Sequence, residues 1–102
     1  VKMQLVHPLG GGAYAVSYKG QKYIDNIEGG FKPNILIFGH WHQSLYFQRR
    51  NIHVLYAGCF EDQSSWLMRM GLQPNIGGWI CEINIAEDGS VNRFKVENIK
   101  FY

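Results

Sequence analysis

The segment Ile35-Leu36-Ile37-Phe38 is apolar at every position and lies between Pro33-Asn34 and Gly39. A run this short with no polar alternation reads as a strand covered on both faces, the kind found in parallel sheets with helices over them. A second apolar run, Met3-Gln4-Leu5-Val6-His7, stops at Pro8, which cannot donate to a ladder and so places His7 at a strand end. Between the two, Leu9 and Gly10-Gly11-Gly12 form a loop. Val16, Gly20, Tyr23, Ile24 and Ile27 then recur on one helical face, predicting a helix over about residues 13 to 28 with Gly29-Gly30 as its stop. Strand, helix and strand of these lengths make a β-α-β unit with a parallel pair and a right-handed crossover. Both strands then end at one edge of the sheet, which brings His7 towards His40.

Downstream the pattern changes to antiparallel hairpins. Strands at about residues 44 to 48 and 52 to 57 flank a turn at Arg49-Arg50-Asn51, which marks a solvated tip. Gly58-Cys59-Phe60 breaks that hairpin. Asp62 or Ser64 can cap a short helix running through Met70, closed by Gly71 and Pro74. From Gly77 to Ala86, Cys81, Ile83 and Ile85 face one way and Glu82 and Asn84 the other; Asp88-Gly89 signals a turn, and about residues 91 to 96 return. The fold class is α/β, a β-α-β unit followed by mostly antiparallel hairpins.

With 102 residues, 46% of them hydrophobic, the chain supports one core and a single domain, 1–102. A net charge of +2 is too small for nucleic-acid binding by bulk electrostatics, so a nucleic-acid role has to come from a site. No run of about eighteen apolar residues and no signal-peptide pattern occurs, so a cytoplasmic protein without membrane contact is expected. Cys59 and Cys81 lack a close C-x-x-C spacing and are expected as reduced, buried thiols.

His40 and His42 are two residues apart, and in extended backbone they project to the same side, where they can address one metal cluster. They follow a buried strand, on the edge where open α/β sheets place their ligands, and His7 ends the parallel neighbour. In Val6-His7-Pro8 and Gly39-His40-Trp41-His42, with a helix between them, the chain resembles the C-terminal half of the calcineurin-like metallophosphoesterases. That family ends its signature with a strand-end histidine and G-H-x-H. The wider run from His7 through Ala15, and Gly78-Trp79-Ile80, is similar to a bacterial and phage branch related in layout to DNA-repair nucleases.

The resemblance implies part of a four-layer α/β/β/α sandwich and a hydrolase acting on phosphomonoesters or phosphodiesters, including nucleic acid. It implies His7 and His40 as ligands of one metal of a dinuclear pair and His42 as ligand of the other. Neutral imidazoles suit manganese, iron or zinc. Gly10 and Gly11 could offer backbone N–H groups to a phosphate, although the G-K-[ST] ending of a P-loop is absent. Trp41 could stack on a substrate or pack to fix the loop, and His53 carries no motif. The family's D-x-H, G-D and G-N-H segments are missing, and Asp25, Asp62 and Asp88 stand in other contexts. Three histidines without a bridging carboxylate cannot hold two adjacent dications together. The chain alone is therefore expected to bind one metal or none and to be inactive without an N-terminal half. The other expectation is a non-catalytic module that dimerises through an exposed sheet face.

Overall fold

The computed structural model describes residues 1–8, 10, 15–60, 69 and 75–101. Strand β1 is Met3–Val6, helix α1 Tyr18–Asp25, β2 Ile35–Phe38, β3 Ser44–Arg49, β4 Ile52–Ala57, β5 Gly77–Ile85 and β6 Val91–Lys100. The first four strands form one sheet in the order β1-β2-β4-β3, and β5 and β6 form a separate two-stranded sheet. β1, β2 and β4 run parallel, with Val6 opposite Phe38 and Phe38 opposite Tyr56; β3 is antiparallel to β4.

Alternation along the strands divides the side chains between two faces. Leu36, Phe38, Ile52, Val54 and Tyr56 meet Ile24 of α1 in the main core, with Val6, Tyr23, Ile27, Trp41, Leu45 and Phe47 packed against it. Gly20 brings the helix close: its backbone N–H donates to the Tyr56 hydroxyl at 3.0 Å. A Cβ at Gly20 would lie 2.6 Å from that oxygen, so a side chain there cannot coexist with this approach.

The opposite face meets the β5–β6 hairpin. Phe94 stacks with Tyr46 and lies 4.4 Å, centroid to centroid, from His53. Trp79 Nε1–H donates to the Tyr56 carbonyl at 2.9 Å, and Asn98 Nδ2 donates to Ser44 Oγ at 2.8 Å. Three layers are thus described: helix, four-stranded sheet and hairpin. The chain is mixed α/β and mostly strand, and a second helical layer is not among the described residues.

Several expectations change in detail. The helix ends at Asp25 because Arg50 Nη1 donates to the carbonyls of Ile24 and Ile27, and Gly29–Phe31 turns as a separate 3₁₀ element. Arg49 is likewise engaged, pairing both Asp25 oxygens at 2.8 and 2.9 Å, so the turn at Arg50-Asn51 is bound to the helix end. Positive φ at Arg50 and Asn51 suits a two-residue hairpin turn. β6 runs four residues beyond its predicted end because the Gly77–Trp79 backbone still offers it a partner. Cys81 is exposed, not buried, and Cys59 half-buried. The predicted helix from Asp62 or Ser64 to Met70, Arg69 apart, lies outside the described residues, as does the first part of the predicted 13–28 helix.

Two outcomes follow from this packing. Gly20→Ala should destabilise the fold by about 1–3 kcal/mol in urea denaturation, because overpacking outweighs the gain in helix propensity. Adding Tyr56→Phe should recover part of that loss, so the two effects should be non-additive. His53 Nδ1 is hydrogen-bonded with the Tyr46 hydroxyl at 2.8 Å, and that hydroxyl accepts from Gln48 Nε2. Burial lowers its pKa below the ordinary 6.5. The unfolded chain therefore binds the proton more readily, and stability should fall as pH drops below about 6.5, a slope that His53→Gln should flatten.

Candidate metal centre

Because β1 and β2 are parallel and in register, the residues that follow them emerge at one edge. The His7 and His40 rings stand edge to face with centroids 4.7 Å apart. Both side chains are exposed. His40 Nε2–H donates to the Gly10 carbonyl at 2.8 Å, which fixes the tautomer and leaves Nδ1 as the free lone pair. Gly10, at φ 79°, turns its carbonyl to His40. Its observed part is to orient the imidazole, whereas a phosphate cradle would use its N–H. Gly11 lies outside the described residues.

The Gly39-to-His42 segment is not extended. Trp41 N–H donates to the Gly39 carbonyl at 2.9 Å, closing a three-residue γ-turn around His40. His40 has φ 74° and His42 φ 54°, a region that residues with a Cβ seldom occupy. The expectation that His40 and His42 project alike from a strand end is therefore corrected: the backbone reverses between them. Trp41 is drawn inwards instead, stacked on Phe38 at 5.1 Å and tilted against Tyr56 at 4.9 Å. Packing accounts for this ring without a substrate. Its Nε1–H is buried and has no hydrogen-bond partner among the described residues.

The donor set tests what the edge could hold. Among the described residues no three His, Cys, Asp or Glu side chains are grouped to hold a metal ion. Asp25 is paired with Arg49, which holds its carboxyl below the usual range, and Asp88 is bonded to the Ser90 hydroxyl and backbone N–H, which does the same. Asp62 lies outside the described residues. Two neutral imidazoles supply no negative charge, so this edge does not fit a dinuclear centre as it stands.

No motif signals the residues that frame the edge from behind. Asn75 N–H donates to the His42 carbonyl at 2.7 Å, and Gly58 N–H to that of Gln43 at 2.9 Å, tying the histidine segment to the start of β5 and the end of β4. Comparison with protein-family models, curated proteins and solved structures found no significant match. Among the described residues no helix is long and apolar enough to cross a membrane.

Positive φ at a non-glycine residue costs about 1–3 kcal/mol. His40→Gly should accordingly raise the midpoint of denaturant unfolding even though it removes the Gly10 contact, while His40→Ala, which keeps the Cβ, should not. Equal midpoints for the two variants would remove the case for strain at this turn.

Proposed function

We propose that this chain supplies the histidine side of a metal-dependent phosphoesterase centre, completed by a carboxylate-bearing segment that is not among these residues. The observation that carries the reading is the meeting of His7 and His40 at the carboxyl edge of two parallel strands, with His40 on a strained turn. Strain of this sort gathers at functional sites, and that edge is where α/β sheets bind ligands. The resemblance to calcineurin-like metallophosphoesterases points the same way. It names the reaction as hydrolysis of a phosphomonoester or phosphodiester, including nucleic acid. The chemistry such a centre supplies is activation of a water for attack on phosphorus. This chain's part is to orient two imidazoles, His40 through Gly10, with His42 joining once the segment rearranges around the added ligands.

The completing segment has a place to dock. β1 is one of the two edge strands of the four-stranded sheet among the described residues, and on the face away from α1 Leu5 is 73% and Met3 49% exposed. A further strand along β1 would end beside His7, where a carboxylate would supply the missing charge, and chain crossing from it over this face would cover both residues. The same exposed residues favour a second reading, a non-catalytic module closing this face against a second copy of itself.

Cobalt(II) or zinc(II) titration of the purified chain tests the first reading. One metal or fewer should bind per chain, with affinity weakened at least about tenfold by His7→Ala or His40→Ala. Hydrolysis of bis-p-nitrophenyl phosphate with manganese should be negligible. Metal affinity unchanged in both variants would sink the histidine assignment. Full activity of the chain alone, lost in His40→Ala, would sink the claim of a shared site. A stable dimer that binds no metal would favour the second reading.

A further inference from the structure

A cleft of about 400 Å³ opens where the base of the β5–β6 hairpin meets the start of β3, lined by Ser44, Asn75, Ile76, Trp79, Asn98 and Lys100 among others. That volume lies within the range of small-ligand pockets. The cleft adjoins the histidine edge, because Asn75 N–H donates to the His42 carbonyl at 2.7 Å and Ser44 stands two residues from His42.

Its hydrogen bonds fix which polar atoms remain for a ligand. Asn75 Oδ1 accepts from Ser44 N–H at 2.7 Å, so its Nδ2, with two donors, is the end left unengaged among the described residues. Asn98 Nδ2 donates to Ser44 Oγ at 2.8 Å and to the Gly78 carbonyl at 3.3 Å, so its Oδ1 is free to accept. Ser44 Oγ already accepts from Asn98, which frees its hydroxyl hydrogen to donate. Neither amide can be flipped without facing donor to donor or acceptor to acceptor. Trp79 is pinned through Nε1 to the Tyr56 carbonyl, so its ring is a fixed wall.

We propose that this cleft binds the base of a nucleotide. Its polar groups, in the order in which they are bonded to one another, are an acceptor on Asn98, a donor on Ser44 and donors on Asn75. A planar heterocycle with an N–H donor beside a ring nitrogen and a carbonyl complements that order, as the pairing edge of cytosine does. Trp79, Ile76 and Ile99 supply apolar surface, and the Lys100 ammonium suits a phosphate. The direction of the phosphate, towards the His42 segment, rests on the phosphoesterase reading; the base site does not.

The test is NMR titration of the 102-residue chain in the presence of a chelator, following the Asn75 and Asn98 side-chain amides and the Trp79 indole. Cytidine 5′-monophosphate should shift these signals and bind at least about tenfold more tightly than ribose 5-phosphate or phenyl phosphate, which lack the hydrogen-bonding edge. Uncharged cytidine should lose at least about tenfold with Asn75→Asp, which keeps the acceptor for Ser44 N–H and removes the donors. Lys100→Met should weaken the nucleotide more than it weakens cytidine. Equal binding of ribose 5-phosphate or phenyl phosphate, or an unchanged affinity in Asn75→Asp, would overturn the proposal. His40→Ala should retain cytidine binding, so failure of the histidine reading and failure of this one are separable. A tetramer of deoxycytidylate in place of the mononucleotide distinguishes a strand from a free nucleotide as the source of the base.

Discussion

Tyr56 takes part in every layer of the molecule. Its hydroxyl receives the Gly20 N–H of α1, its ring meets Phe38, Trp41 and Phe47, and its carbonyl receives the indole N–H of Trp79 on the hairpin. The ring is 1% exposed, and burial raises the hydroxyl's pKa, so it remains a neutral group. A buried hydroxyl without a partner would be costly, and the partner available is a helix backbone N–H that only glycine can bring near enough. One residue therefore sets the helix-to-sheet distance, the hairpin position and, through Trp41, the seat of the histidine loop.

That dependence explains what was legible in the sequence. β2 is a continuous apolar run whose limits are those the pattern predicts, because burial on both faces leaves no other reading, whereas β4 carries His53 and its limits follow from the hairpin pattern. The proximity of His7 and His40 follows from topology alone, since parallel neighbours end together. The helix end was not legible, because it is decided by Arg50, 26 positions from Ile24, reaching the last carbonyls from another element. Nor was the turn at His40, because histidine is only a weak local signal for positive φ, and the inward pull on Trp41 comes from Phe38 and Tyr56.

The cleft was hidden for the same reason. Ser44, Asn75 and Asn98 are spread over 54 positions and belong to no motif, and Asn98 to Ser44 is the contact that spans that distance. In the sequence each is an ordinary polar residue beside a strand. Their meaning lies in which lone pairs and hydrogens remain after the fold has used the others, a quantity fixed only by the full hydrogen-bond network.

Charge is what the histidine edge lacks, and the geometry narrows where it can come from. The described aspartates are engaged at the helix end and at the β5–β6 turn, and withdrawing Asp25 would release Arg49 and open one of the contacts that bind the β3–β4 turn to α1. Drawing Asp25 to the edge would therefore weaken the helix-to-turn packing of the sheet that positions the imidazoles. A carboxylate arriving along the open side of β1 would disturb none of these contacts. Were the same segment to cross the face that carries Leu5 and Met3, one docking event would satisfy both the electrostatic and the hydrophobic deficit of this strand.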